Sequence, residues 1–185
     1  MSPSEPTIPA VDEVRELNRL FLAFLHERPD AASERFGLSP LAAGLLQQAT
    51  PVQMKRAAGF PRALFRFLLP APPPAGIMTA LPRSSGERVL ELVLLHGARN
   101  LSRMSGYAAR LLLRLDGDAV NRLRGADVGE LIAMSRADQV VMAAFDGLDW
   151  IWRELLTEAR PEYRRRLLLI GFQPEFSLRP AAVMA

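Results

Sequence analysis

Apolar residues recur at three- and four-residue steps along most of this 185-residue chain, which is a helical pattern. Val11, Val14, Leu17, Leu20, Phe21, Phe24 and Leu25 would share one face of a first helix, with Asp12 and Glu13 in its first turn to complement the dipole. Arg28-Pro29 ends it, because the residue before a proline is pushed out of the α region. Asp30 to Arg35 predicts a short helix and Phe36-Gly37-Leu38 a turn. Ser39-Pro40 and Thr50-Pro51 are helix starts: the hydroxyl caps and proline takes the first helical position. Gln53 completes a capping box with Thr50, and that helix runs to Ala58 and stops at Gly59. Arg62 to Leu69 is a further apolar segment, either a helix or a short strand.

Pro70 to Pro74 cannot continue a helix and reads as a polyproline linker, with loose residues following to Ser85. The pattern resumes at Ser84-Ser85-Gly86-Glu87 and runs from Val89 to Leu115, with Gly97 and Gly106 as candidate breaks. Asp118 is placed to cap Ala119 to Arg124, and Asp127 with Glu130 forms a second capping box. Ser135 to Asp138 opens a last long helix, Gln139 to Glu158, with a break near Gly147. The expectation is an all-α fold of two small helical modules of short capped helices. These are residues 11–69 and 86–170, joined by a Pro-rich linker at 70–85, with a flexible arm at 1–10 and a tail at 171–185.

The halves echo each other. At an offset of 77, Phe36-Gly37-Leu38 falls on Leu113-Arg114-Leu115, Thr50 on Asp127, Gln53 on Glu130 and Met54 on Leu131. Caps and apolar positions match rather than identities. Both a duplicated module and coincidence in an Ala/Leu-rich helical chain fit this pattern.

Composition narrows the chemistry. Hydrophobic residues at 49% and charged residues at 23% are globular values. With no cysteine, disulfides, thiolate metal sites and cysteine nucleophiles are excluded. His26 and His96 lie far apart, and neither a Gly-rich phosphate loop nor a metalloprotease or nucleophile-elbow motif occurs. The reading is a non-enzyme with no cofactor, no metal and no small-molecule substrate. Net charge is +3, and Lys55 is the single lysine among the cations. Arginine suits phosphate and carboxylate recognition, although codon bias in a GC-rich genome produces the same excess. The N-terminus lacks a secretory pattern, and Val89–Leu95 and Leu167–Ile170 are too short to span a bilayer, so a cytoplasmic protein without membrane contact is expected.

Lys55, Arg56, Arg62 and Arg66 are the first candidates for contacting DNA, in a helix, turn and second segment with a helix-turn-helix outline. The segment is apolar for a recognition helix, which makes Phe60, Leu64, Phe65 and Phe67 candidates for a packing or partner interface. Arg164-Arg165-Arg166 is the densest cationic run, suited to phosphates or to a solvated helix face. Trp150 and Trp152 point to different sides of a helix and are further interface candidates, with burial the alternative.

Glu16-Leu17-Asn18, Phe36-Gly37-Leu38, Ala49-Thr50, Gln53-Met54-Lys55, Ala57-Ala58 and Phe65-Arg66-Phe67 resemble, in order and spacing, the FlhD family of bacterial flagellar transcriptional regulators. The resemblance covers residues 16–67, with a fainter similarity at 100–135. It implies an all-helical, non-enzymatic protein that dimerises, binds a partner subunit, FlhC, and with it binds and activates flagellar promoters. Family members are shorter single modules. They often carry a cysteine where this chain has Ala63, so no intersubunit disulfide can form. The extra half suggests an internal pseudo-dimer. The alternative is a helical adaptor of a flagellar or type III secretion apparatus that does not touch DNA.

Overall fold

The computed structural model describes residues 9–69, 85–137, 139–145 and 147–157. These form an all-α fold with one short two-stranded ribbon. The first half contains α1 (Pro9–Glu27), α2 (Pro29–Glu34), α3 (Pro40–Gln47), α4 (Pro51–Ala58) and β1 (Phe65–Phe67). The second contains α5 (Ser85–Met104), α6 (Gly106–Leu113), α7 (Gly117–Gly125), α8 (Val128–Ser135), β2 (Val141–Ala143) and α9 (Asp149–Leu156).

The capping residues act as their chemistry requires. Ser39 Oγ accepts from Ala42 N–H, and Thr50 with Gln53 closes a reciprocal capping box. Asp127 and Glu130 close the matching box on α8. α7 is capped by Asp116 rather than by the expected Asp118, because Asp116 holds the extended backbone from which its carboxylate reaches Ala119 N–H.

Element order repeats along the chain. Pro29 and Gly106, Pro40 and Gly117, and Pro51 and Val128 each begin a helix 77 positions apart. Their N-caps, Arg28 and Ser105, Ser39 and Asp116, and Thr50 and Asp127, keep the same offset. Buried positions match too: Ala32 with Ala109, Phe36 with Leu113, Leu38 with Leu115 and Leu46 with Leu123. Each long helix is wrapped by the short helices of its own half, α1 by α2, α3 and α4, and α5 by α6, α7 and α8.

The two halves share one hydrophobic core. α1 packs on α5 at Gly97, where a Cβ would lie 2.6 Å from Leu17 Cδ2; Gly97 is a point of close approach, and α5 runs through it unbroken. The break comes at Ser105, which caps α6. β1 and β2 pair antiparallel, with Arg66 opposite Met142. Leu68 N–H donates to Val140 O and Ala144 N–H to Leu64 O, both at 2.8 Å. Each bond becomes the other when the strands are exchanged about the Arg66–Met142 pair, an offset of 76, one residue less than that of the short helices. A two-stranded ribbon is marginal alone; this one is held by Phe65, Val141 and Ala143, all buried.

Three sequence expectations are corrected here. Pro9 and Ala10, assigned to the arm, already belong to α1. Gln139 to Glu158 is not one long helix. Val140–Ala143 is extended because β1 offers it an edge, and the chain then turns through Phe145 and Gly147, both at positive φ, before α9. Of the linker expected at 70–85, Ser85 already opens α5, while residues 70–84, the end of the second module from 158 and the tail lie outside the described residues.

Candidate functional site

One buried asparagine shapes the stretch that carries the candidate residues. Asn18, on α1, is fully buried. Its Nδ2 donates to Ala58 O, Phe60 O and Arg62 O at 3.4, 3.2 and 2.9 Å, and its Oδ1 accepts from Leu64 N–H at 2.8 Å. No helix or sheet ladder serves these backbone groups, so the amide replaces one. The chain is thereby led from the end of α4 into β1 without a second helix.

The helix-turn-helix outline is therefore not formed, and the candidate cations disperse. Lys55 and Arg56 are exposed on the last turn of α4, as expected. Arg56 Nη2 donates to Thr157 O, at the end of α9. Arg66 is exposed on β1, its Nη2 3.9 Å from Met142 Sδ. Arg62 is corrected as an outer-face residue: it is 7% exposed, and its Nε donates to Leu111 O at 2.8 Å. Burial lowers its pKa from the ordinary arginine value. Arg164, Arg165 and Arg166 lie outside the described residues.

The aromatic candidates face inward. Phe65 packs on Phe21 and Phe67, with ring centroids 5.4 Å apart in both pairs. Phe60 meets Phe145 of the second half edge-on at 6.0 Å. Phe60, Leu64 and Phe65 are buried and Phe67 is half-buried, so this surface is occupied by the chain's own second half. Burying Leu64 and Phe65 contributes about 1.5–3 kcal/mol each. Trp152 is also buried, its Nε1–H donating to Ala144 O at 3.2 Å, whereas Trp150 is 42% exposed. Of the interface candidates, Trp150 alone presents a large free aromatic surface.

Between α1 and α4 runs an open groove of about 700 Å³ with Leu22, Met54 and Ala58 among its lining residues. Its charges are largely matched on the rim. Arg19 Nε donates to Glu16 at 2.8 Å and holds that carboxyl below the usual range, and Arg15 Nη1 lies 3.3 Å from Asp12. Such exposed pairs stabilise little. Among the described residues no group of three or more His, Asp or Glu side chains is placed to hold a metal ion, and no helix is long and apolar enough to cross a membrane.

A further feature belongs to no sequence motif. Arg114 lies in the left-handed region at φ 56°, with its guanidinium carbon 4.2 Å from the centre of the Phe145 ring. Its Nη2 is buried without a hydrogen-bond partner. The one sequence signal was the 77-residue offset, which sets Arg114 on Gly37, itself at φ 70°. Comparison with family models, with curated proteins and with solved structures finds no match.

Proposed function

We propose that the chain is a cytoplasmic, non-enzymatic FlhD-like transcriptional regulator of flagellar or related genes. In this reading it is an internal pseudo-dimer. The observation that carries it is the strand pair between matched elements of the two halves, with its exchanged hydrogen bonds. A two-fold homodimer of one module would make the same contact between two chains. Here one chain supplies both, and the Phe65-Arg66-Phe67 motif of the family resemblance lies in that contact. Exposed Trp150, Lys55 and Arg66 remain for an FlhC-like partner and for promoter DNA.

A helical adaptor without DNA contact is the second reading. It is favoured by the withdrawal of Arg62 from solvent, the tie from Arg56 to Thr157, and the pairing of Arg15 and Arg19 with acids. Salt-dependent binding to promoter DNA separates the two readings, measured for the chain alone and with a co-purified partner. Retardation of DNA that weakens steeply with salt supports the regulator. No retardation at low salt in either preparation leaves the adaptor.

A further inference from the structure

The repeat gives one surface opposite chemistry in its two halves. α1 and α5 end 77 positions apart, at Glu27 and Met104, and their buried faces match: Val14 with Glu91, Leu17 with Leu94, Asn18 with Leu95 and Phe21 with Ala98. α4 packs on α1, and α8 on α5. In the first half the surface between the two helices is the open groove, whose charged lining residues are Asp12, Arg15, Glu16, Arg19, Glu27 and Lys55. At the matched positions the second half has Val89, Leu92, Val93, His96, Met104 and Ile132. Where the groove has Leu22, His26 and Gly59, the second half has Arg99, Arg103 and Arg136. No acid occupies any position matched to the groove.

This face is open to solvent. Val89, Met104 and Val128 are 60%, 59% and 59% exposed, Val93 is 39% exposed, and Leu92 and Ile132 are half-buried. Single exposed apolar residues are ordinary. Here Val89, Leu92, Val93 and His96 follow one another at three- and four-residue steps, as Val128 and Ile132 do on α8, so each set lies along one side of its helix. The acids of α5 are withdrawn: Glu91 is buried, and Glu87 lies 3.8 Å from Arg35 Nε. Glu130, the acid on α8, accepts from Asp127 N–H at 2.8 Å. Arg103 and Arg136 are exposed, and Arg99 Nε is buried without a hydrogen-bond partner.

We propose that the α5–α8 face is a docking site for an amphipathic helix of a partner protein, with Asp or Glu flanking its apolar stripe. The stripe covers Val89, Val93 and Val128, and the carboxylates meet Arg99, Arg103 and Arg136. A protein is preferred to a membrane because helices that lie in a bilayer interface insert Trp, Phe or Leu. The exposed apolar residues here are mostly short valines, and no aromatic residue stands at a position matched to the groove. The first half does not repeat the site, since its groove pairs Arg15 with Asp12 and Arg19 with Glu16. The inference goes beyond the proposed function and stands for regulator and adaptor alike.

Fluorescence anisotropy of a labelled synthetic peptide, titrated with the full chain, tests the site. The peptide is a helix former with leucine at i, i+3, i+4 and i+7 and glutamate on either side of that stripe. The expected result is a saturable rise that weakens with salt. The same peptide with lysine in place of glutamate should bind at least about tenfold more weakly. Val93→Glu should weaken binding of the glutamate peptide at least about tenfold, and Arg103→Gln about three- to tenfold; both positions are exposed, so the fold should tolerate either change. Glu16→Ala, at the position matched to Val93, should leave binding unchanged. No saturable binding of the glutamate peptide, equal binding of the lysine peptide, or indifference to Val93→Glu overturns the proposal. Two other occupants would also overturn it. Co-sedimentation with phosphatidylserine vesicles that Val93→Glu abolishes assigns the face to a membrane, and dimerisation that Val93→Glu abolishes assigns it to a second copy of the chain.

Discussion

Replacing Asn18 by alanine should destabilise the protein more than any single surface change. The side chain is buried and serves four backbone groups, with its shortest bonds to Arg62 O and Leu64 N–H at 2.9 and 2.8 Å. Alanine leaves the Leu64 N–H orphaned, at about 1–3 kcal/mol. It also removes the donors to three carbonyls, at about 0.5–1.5 kcal/mol for each of the two amide protons. The sum is about 2–6 kcal/mol, a large share of the 5–15 kcal/mol typical of a folded domain. For a chain of this length the melting temperature should fall by about 4–24 °C. Urea unfolding is the assay, read as a lowered midpoint with an unchanged slope.

Asn18→Asp sharpens the test. One oxygen still accepts from Leu64 N–H, but the other faces carbonyls. Burial and those carbonyls should raise the carboxyl pKa in the folded state above its unfolded value of about 3.9. The folded variant then holds its proton more tightly than the unfolded one. Its deficit relative to the parent should be smallest in acid and grow as pH rises from about 4 toward neutrality. A cost below about 1 kcal/mol for Asn18→Ala, or a pH-independent deficit for Asn18→Asp, would refute the view that this amide supports the turn into β1.

Other changes probe the repeat and the contact between halves. Gly97→Ala should destabilise despite its higher helix propensity, since the new Cβ would sit 2.6 Å from buried Leu17 Cδ2; Gly44→Ala, with nothing within 4 Å, should instead stabilise by about 1 kcal/mol in thermal unfolding. Gly37→Ala should cost at least about 1–2 kcal/mol by the same assay, since it combines φ 70° with a collision against Met142. Thr50→Ala and Asp127→Ala should each cost about 1 kcal/mol, and their effects should add, because they open matching capping boxes in separate halves.

Local chemistry made much of this fold legible in the sequence. Caps, proline starts and three-to-four spacing depend on neighbours within one turn, so α3, α4 and α8 begin at the expected residues. The 77-residue echo carried further than its weak identities suggest, since the starts of the short helices, their caps and matched buried positions keep it. What was hidden depends on distant partners. Val140 to Ala143 read as helix because nothing nearby shows that Phe65–Phe67 will pair with it. Arg62 read as an exposed cation because the carbonyl it serves, Leu111 O, is 49 residues away. Arg114 read only as the residue matched to Gly37 in the repeat; its left-handed backbone and its stacking on Phe145 depend on neighbours that topology brings together.

The central claim is that one chain contains both halves of a dimer-like unit. Light scattering during size-exclusion chromatography, over a hundredfold range of concentration, tests it most directly. The account predicts the mass of a single chain throughout, because β1 already has β2 as its partner. A stable symmetric dimer at the lowest concentration would contradict it.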